Sequence, residues 1–341
     1  MSEPAVSVVI PTHQRRDALE RALRSLGDQT APAGSYEVVV SVDGSTDGTL
    51  EMLEAFDGGF PLRTAGGERQ GRATACNRAV AMARGEVLIV LDDDMQVVPE
   101  FVERHRAHHA PGSRLCVLGA VPIELDESSP RAAGYIRTKF NNHLKSLAEP
   151  GRGFMPRDFY SGNASLRTEV MREVGGFDES FKAYGNEDVD LSLRLQETGV
   201  ELRYDPEAMA RQEYGKNLVE LARDTFEKGH TTVALARAHP SVFHALRLAA
   251  PTENSRPWLV ARAVLLALTR RRRSLAERVF AIAARLEALG LWRQPLFYRA
   301  CLDYAFWAGV DSELSQSTNQ GELESLAAEL HRGPIDLLLH R

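Results

Sequence analysis

Three short runs of branched apolar residues, Val6–Ile10, Glu37–Val42 and Glu86–Leu91, fall within the first part of the chain. Each is strand-length and lacks the polar alternation of a half-exposed strand, so all three read as buried parallel strands. Helical patterns fill the gaps. Ala18, Leu19, Ala22, Leu23 and Leu26 share one face, as do Leu50, Leu53 and Phe56, and then Ala79, Val80 and Ala83, closed by Gly85. This alternation predicts an α/β fold with a doubly wound, mostly parallel sheet flanked by helices. Ligands of such sheets bind beyond the strand C-termini.

From about Pro99 to Glu149 the pattern is less regular, with one strand expected at Leu115–Val121, and residues 150–164 (PGRGFMPRDFYSGNA) read as a loop near a site. Helical spacing returns at Glu169–Val174 and Val189–Leu195. After about Lys216 the strand signals vanish. Helices are expected at Leu218–Ala238, Pro257–Arg270, Leu275–Leu289, Pro295–Ala308 and Glu322–His331. The expected division is therefore a catalytic α/β domain over 1–215 and a C-terminal α-helical domain over 216–341.

The net charge of -6, from 41 basic and 47 acidic residues, argues against nucleic acid as a partner, because phosphate-tracking proteins carry a basic excess. Cys76, Cys116 and Cys301 form neither a disulfide framework nor a zinc pattern. With no signal-peptide pattern at the start, the expected compartment is the cytoplasm.

Acidic residues cluster where folding does not ask for them. VDGSTDGTLEMLE (42–54) matches a calcium-loop spacing, yet it is entered from a strand, and an EF-hand must be entered from a helix. The better reading puts Asp43 at a strand C-terminus, with Thr46 or Asp47 capping the next helix. EVLIVLDDDM ends a strand in Asp92, Asp93 and Asp94, a crowding of like charge that costs stability unless a cation or ligand donors neutralise it. Hard divalent cations take such oxygen ligands and bridge to phosphates. YGNEDVDLSLRL offers Glu187, Asp188 and Asp190 at a helix start, where the macrodipole alone would favour acids.

Together SVVIPTHQR (7–15), VDGSTDGT (42–49), ERQGRATACNRAVAMARGEVLIVLDDDM (68–95), SGNASLRTEVMREVGGFDESF (161–181) and GNEDVDLSLRL (185–195) resemble glycosyltransferase family 2, inverting enzymes of GT-A fold that use nucleotide-diphosphate sugars. The resemblance covers roughly residues 5–215. It implies that Pro11 and Thr12 line the base pocket, that Asp43 hydrogen-bonds the base, and that Arg72 helps hold base or diphosphate. It further implies that Asp94, with Asp92, binds Mg2+ or Mn2+, that Asp92 or Asp93 lies nearer the ribose, and that Asn163 lies near sugar or acceptor. Asp188 would be the general base, with Glu187 beside it.

Many relatives place a histidine after the last sheet strand, where it can join the metal; here PEAMARQEYGKN puts Gln212 or Glu213 near that position. The donor is a nucleotide-diphosphate sugar; neither its sugar and base nor the acceptor is legible. A rival reading is a sugar-nucleotide or glycan binding protein that kept the fold and lost turnover, against which stand the intact Asp43, Asp92, Asp94 and Asp188.

Three features read more plainly. FVERHRAHHA, with His105, His108 and His109, is expected to be a solvated helix face, since no carboxylate completes a metal motif. Trp258–Leu268 followed by Arg270–Arg273 reads as a core helix with a basic C-terminus in preference to a peripheral contact with anionic lipid on the inner membrane face. The aromatics of PLFYRACLDYAFWAG read as packing residues. The C-terminal helices are expected to cover the acceptor side or to mediate association.

Overall fold

A computed structural model describes residues 3–155, 158–182, 185–240, 256–270, 272–290 and 295–316. The described residues divide into two compact units: those within 3–129, 136–182 and 187–215 make the first, and those within 130–135, 185–186 and 216–316 the second.

The first unit opens as strand-helix alternation: β1 (Val6–Thr12), α1 (Arg16–Gly27), β2 (Tyr36–Asp43), α2 (Thr49–Ala55), β3 (Leu62–Gly67), α3 (Arg72–Met82) and β4 (Val87–Leu91). The chain continues through β5 (Met95–Val97), α4 (Phe101–Ala107), β6 (Leu115–Gly119), β7 (Ile123–Glu124) and α5 (Arg131–Leu147). β8 (Asn163–Arg167), α6 (Thr168–Glu173), α7 (Glu187–Glu197), β9 (Glu201–Asp205) and β10 (Ala210–Glu213) complete it.

Seven strands form one sheet in the order β3-β2-β1-β4-β8-β6-β9, and β5-β10-β7 form a small second sheet. Within the large sheet only β8 runs against its neighbours. The chain lays β2 and β3 to one side of β1 and then places β4 on the other. That reversal opens a crevice at the C-terminal ends of β1 and β4, the place where open α/β sheets bind ligands. Alternate residues of β1 and β2 bury in opposite directions. Val8, Ile10, Val38 and Val40 enter the core shared with Leu19 and Leu23 of α1, whereas Val9 and Val39 enter the core shared with Cys76 and Ala79 of α3.

The solvated face expected around His105 is not present. His105 is fully buried, with Nδ1 2.8 Å from Ser165 Oγ and Nε2 2.8 Å from Asn163 Oδ1; His109 Nε2 reaches the same Ser165 hydroxyl at 2.8 Å. These partners explain why β8 escapes sequence reading. It is an interior strand with a polar face, satisfied by the imidazoles of His105 in α4 and of His109 just beyond it in place of apolar packing. Burial pushes both imidazoles down, His105 to about 4 and His109 to about 3, so they are neutral at neutral pH. The unfolded chain takes up protons at these residues near pH 6.5, so folding stability falls as pH drops from about 6.5 towards 4. His105→Ala should cost ~2–4 kcal/mol, because it takes the imidazole partner from buried Asn163 Oδ1 and opens a void. Urea midpoints at about pH 7 and about pH 5 check both statements: the midpoint should drop in acid, and less so in His105→Gln.

The second unit is helical: α8 (Leu218–Ala238), α9 (Arg256–Thr269), α10 (Arg273–Ala288) and α11 (Pro295–Gln316). Asn217 starts α8 with a capping box, its Oδ1 accepting Val219 N and Glu220 N while Glu220 returns a carboxylate to Asn217 N. α8 and α11 cross backbone to backbone. A Cβ on Gly229 would stand 2.0 Å from Phe306 O, and one on Gly309 1.9 Å from Phe226 O, so only glycine fits at either place. Tyr304, Phe306 and Trp307 are buried, which bears out their reading as packing residues.

Arg262, which interrupts the apolar run of α9, is itself buried and bonds Asp303 at 2.8 Å beneath the Trp307 ring. The opposite face of α9 leaves Val260, Val264 and Leu268 exposed. Of the arginine cluster, Arg270 faces Asp311 and Arg273 pairs with Glu227, while Arg271 lies outside the described residues. The helix expected at Glu322–His331 also lies outside them. No described helix is long and apolar enough to cross a membrane.

Candidate active site

Strand ends, helix starts and the turns between them deliver side chains to the crevice. β1 ends at Thr12, whose Oγ1 donates to Asp93 Oδ2 at 2.8 Å. Pro11, one residue earlier, is buried in the strand. β2 ends at Asp43, and both its carboxylate oxygens are engaged: Oδ1 accepts Gln70 N at 2.7 Å and Oδ2 accepts Gly71 N at 2.9 Å. Asp43 thus clamps the loop that feeds Arg72 into α3. In the turn beyond it, Gly48 occupies the cap position of α2 and Asp47 accepts the amide and hydroxyl of Thr49, so the aspartate of the expected pair serves the helix start.

β4 delivers the acidic run. Asp93 and Asp94 are buried, and burial, with Arg15 offsetting it only in part, pushes the Asp93 carboxyl up to about 7. Asp94 is raised as well, by burial and then by the charge of Asp92. Two guanidinium groups answer this concentration of charge. Arg15 Nη1 lies 2.7 Å from Asp94 Oδ2 and 3.5 Å from Asp93 Oδ1. Arg72 Nη2 lies 2.7 Å from Asp92, and its Nη1 lies 3.3 Å from Asp188 and 3.8 Å from Glu187. Although burial opposes the charge of Arg72, the facing carboxylates, Asp92 first, outweigh it and raise the guanidinium well above its usual range.

Asp188 and Glu187 open α7, and they differ in environment. Asp188 is partly exposed, and its Oδ1 accepts Arg72 and the hydroxyl of Ser161; Glu187 is turned inward and buried. Ser161 comes from the turn before β8. A Cβ on the next residue, Gly162, would meet Asp92 Oδ2 at 2.3 Å, so glycine lets that turn close on the acidic run.

Asn163 is placed elsewhere than the crevice. It is fully buried, with Oδ1 on His105 and its amide nitrogen donating to Ala208 O at 2.9 Å and Ala120 O at 3.2 Å. β10 resolves the alternative at 212 and 213. Gln212 Nε2 faces Asp94 Oδ1 and Oδ2 at 3.3 and 3.4 Å, whereas Glu213 is spent on Arg21 and Gln96. Sequence reasoning missed Arg15 and Ser161; both sit inside quoted motifs, but a lone Arg or Ser in a loop carries no spacing signal.

Among the described residues no three His, Cys, Asp or Glu side chains converge as a complete cage for a metal. The donor set nevertheless fits a hard cation. Mg2+ is commonly held by one or two carboxylates, with phosphate and water supplying the rest; Asp92 and Asp94 are two such carboxylates at one strand end, and burial and the charge of Asp92 raise Asp94 despite its arginine. A separate hollow of about 430 Å³, lined by Arg152, Phe154, Gln196 and Tyr204 among others, contains none of these residues.

Residues 7–175 match the family described as Glycosyl transferase family 2, and residues 144–215 match one described as N-terminal domain of galactosyltransferase. The chain is 31% identical over 242 residues to an uncharacterized glycosyltransferase, YfnE, of Bacillus subtilis, covering 58% of this chain and 62% of that protein. It is 30% identical over 269 residues to validoxylamine A glucosyltransferase of Streptomyces hygroscopicus subsp. jinggangensis, covering 70% and 62%. The chain thus spans about six tenths of the length of these curated relatives. Among solved structures, the mannosyltransferase PcManGT from Pyrobaculum calidifontis, in complex with GDP-Man and Mn2+, superposes with a TM-score of 0.57 at 20% identity, covering 93% of this chain and 89% of that one. TarS of S. aureus superposes at 0.51 with 17% identity, covering 90% and 55%. At these identities the two structures speak for the shared fold alone.

Proposed function

Because the chain belongs to glycosyltransferase family 2, we propose that it transfers a sugar from a nucleotide-diphosphate sugar to an acceptor hydroxyl or amine by a single, inverting displacement. One observation carries this reading. The Arg72 guanidinium touches Asp92 behind β4 and Asp188 at the start of α7, so the acidic run and a proton acceptor lie within the span of one side chain at the sheet's reversal point.

Asp188 takes the proton of the acceptor as it attacks the anomeric carbon, and the bond to the nucleoside diphosphate breaks on the opposite face. One displacement needs no carboxylate nucleophile. Asp94 and Asp92 would hold Mg2+ or Mn2+, with Gln212 beside Asp94. When bound, the cation would offset the charge gathering on the leaving diphosphate. Arg72 orients Asp188, and Ser161 fixes one carboxylate oxygen so that the other faces the acceptor. Thr12, Pro11 and the loop clamped by Asp43 form the wall for the base. Residues 1–215 carry this chemistry; residues 216–341 form a helical domain that serves acceptor use or association. PcManGT, bound to GDP-Man and Mn2+, supports a sugar nucleotide and a divalent cation as the ligands to try first.

Thermal denaturation with UDP, GDP and dTDP, each with and without Mn2+, tests the donor reading. One nucleotide should raise Tm, and Mn2+ should enlarge the shift; saturation at 100 times Kd corresponds to about 2.7 kcal/mol. No response to any of them would favour a fold that has lost its donor site.

A further inference from the structure

Arg15, like Arg72 on Asp92, sits on a carboxylate assigned to the cation. Its Nη1 sits on Asp94 Oδ2 at 2.7 Å, the carboxylate assigned to the cation. A hard cation bound to that oxygen lies about 2.1 Å from it, which would bring two positive centres within about 5 Å of each other over a largely buried carboxylate. The arginine side of this pair is open to solvent. The Arg15 side chain is 37% exposed, against 23% for Arg72, and its second contact, to Asp93 Oδ1, is long at 3.5 Å. Asp93 is fastened from the other side by Thr12 Oγ1, so it can tether the guanidinium when Asp94 is withdrawn.

The backbone aims Arg15 deliberately. Gln14 adopts a left-handed φ of 55°, uncommon for this residue, and is held there by Ser45 Oγ on its amide and Thr46 Oγ1 on its side chain. Arg15 therefore stands at the turn between β1 and α1, over the ends of β1 and β4. Burial opposes its charge, but Asp93 and Asp94 outweigh burial and keep it protonated throughout.

Building on the donor reading above, we infer that Arg15 is an exchangeable counter-ion: it holds Asp94 Oδ2 against a lone divalent cation, and yields that oxygen when a nucleoside diphosphate arrives to take the guanidinium. A planar guanidinium suits this exchange, since its forked donors match carboxylate and phosphate oxygens alike. The consequence is coupling. Cation and nucleotide enter together, because either alone leaves one of the two positive groups without its anion.

Mn2+ binding, followed by the electron paramagnetic resonance signal of the free ion, separates this role from a structural one. In wild type, Mn2+ alone should bind weakly, and UDP, GDP or dTDP, added in turn, should tighten it. In Arg15→Ala, Mn2+ alone should bind about tenfold more tightly, and the gain on adding nucleotide should shrink about tenfold, the size expected from losing one charge-assisted contact. Arg15→Lys, which keeps the charge without the fork, should fall between. Unchanged or weaker binding of Mn2+ alone in Arg15→Ala would overturn the exchange, as would no Mn2+ binding by either protein. Failure of UDP, GDP and dTDP alike to bind wild type would instead remove the donor reading, while the comparison with Mn2+ alone still judges Arg15.

Discussion

Asp188→Asn should lower turnover by roughly 10²- to 10⁴-fold while leaving nucleotide affinity close to wild type, the range typical for removal of a general base. The structure sharpens the expectation by fixing which atom changes. Oδ1 of Asp188 accepts hydrogen bonds from Arg72 and from the Ser161 hydroxyl, and neither can donate to an amide nitrogen. The new amide must therefore keep its oxygen at that position and turn its nitrogen to where Oδ2 was. Shape and the Arg72 contact survive; only the ability to take a proton is lost. Single-turnover rates measured beside equilibrium nucleotide binding separate the two effects. Full activity in Asp188→Asn would remove Asp188 as the base. Glu187 is then the neighbouring carboxylate to test, although its burial and its inward contact with Arg72 oppose that role.

The sequence was legible where one physical requirement acts alone. β1, β2 and β4 are buried on both faces, so their branched apolar runs announce them, and α1, α8, α9 and α10 follow their apolar stripes. β3 and β9 stand at the edges of the sheet, half exposed, with no continuous apolar run. β8 is hidden for the opposite reason: Asn163, Ser165 and Arg167 are polar residues in an interior strand, and the first two are bonded by His105 of α4, some 60 residues away. The same separation misplaced His105 and His109, whose burial depends on hydroxyl and amide partners that no local pattern reveals.

The site divides in the same way. Asp43, Asp92, Asp93 and Asp94 stand out because carboxylates at strand ends need a cause, whereas Asp188 lies at a helix start that favours acids in any case and was singled out by the resemblance. Arg72 was found through its motif. That one guanidinium joins Asp92 to Asp188, and that another occupies Asp94, follows only from the fold: the sheet order β2-β1-β4 brings Arg15 against Asp94 across 79 positions of sequence, and Arg72 against Asp188 across 116. Asn163 looked like a ligand residue because its neighbours are loop-like, yet it is the first residue of β8, paired with Leu91, and its side chain faces the interior.

Asp94→Ala should abolish the enlargement of nucleotide binding by Mn2+ and lower kcat/KM by roughly 10²- to 10³-fold, the scale seen when one group stabilising developing charge is removed. Its effect on the free protein should run the other way. The Asp94 carboxyl is raised by burial and by Asp92, so its ionised form is held against a cost at neutral pH, and deleting it relieves repulsion along the 92–94 run. Arg15 loses its short contact but keeps Asp93, and being partly exposed it can also turn to water. Melting of the ligand-free variant should therefore stay at or above the wild-type temperature, while the added shift from Mn2+ with nucleotide disappears. This pairing of outcomes distinguishes a lost cation ligand from a damaged fold, which would lower the free protein's Tm and blunt every ligand together. If Mn2+ still enlarges the nucleotide shift in Asp94→Ala, the cation is held elsewhere, and Asp92, on the Arg72 side of the crevice, is the carboxylate to replace next.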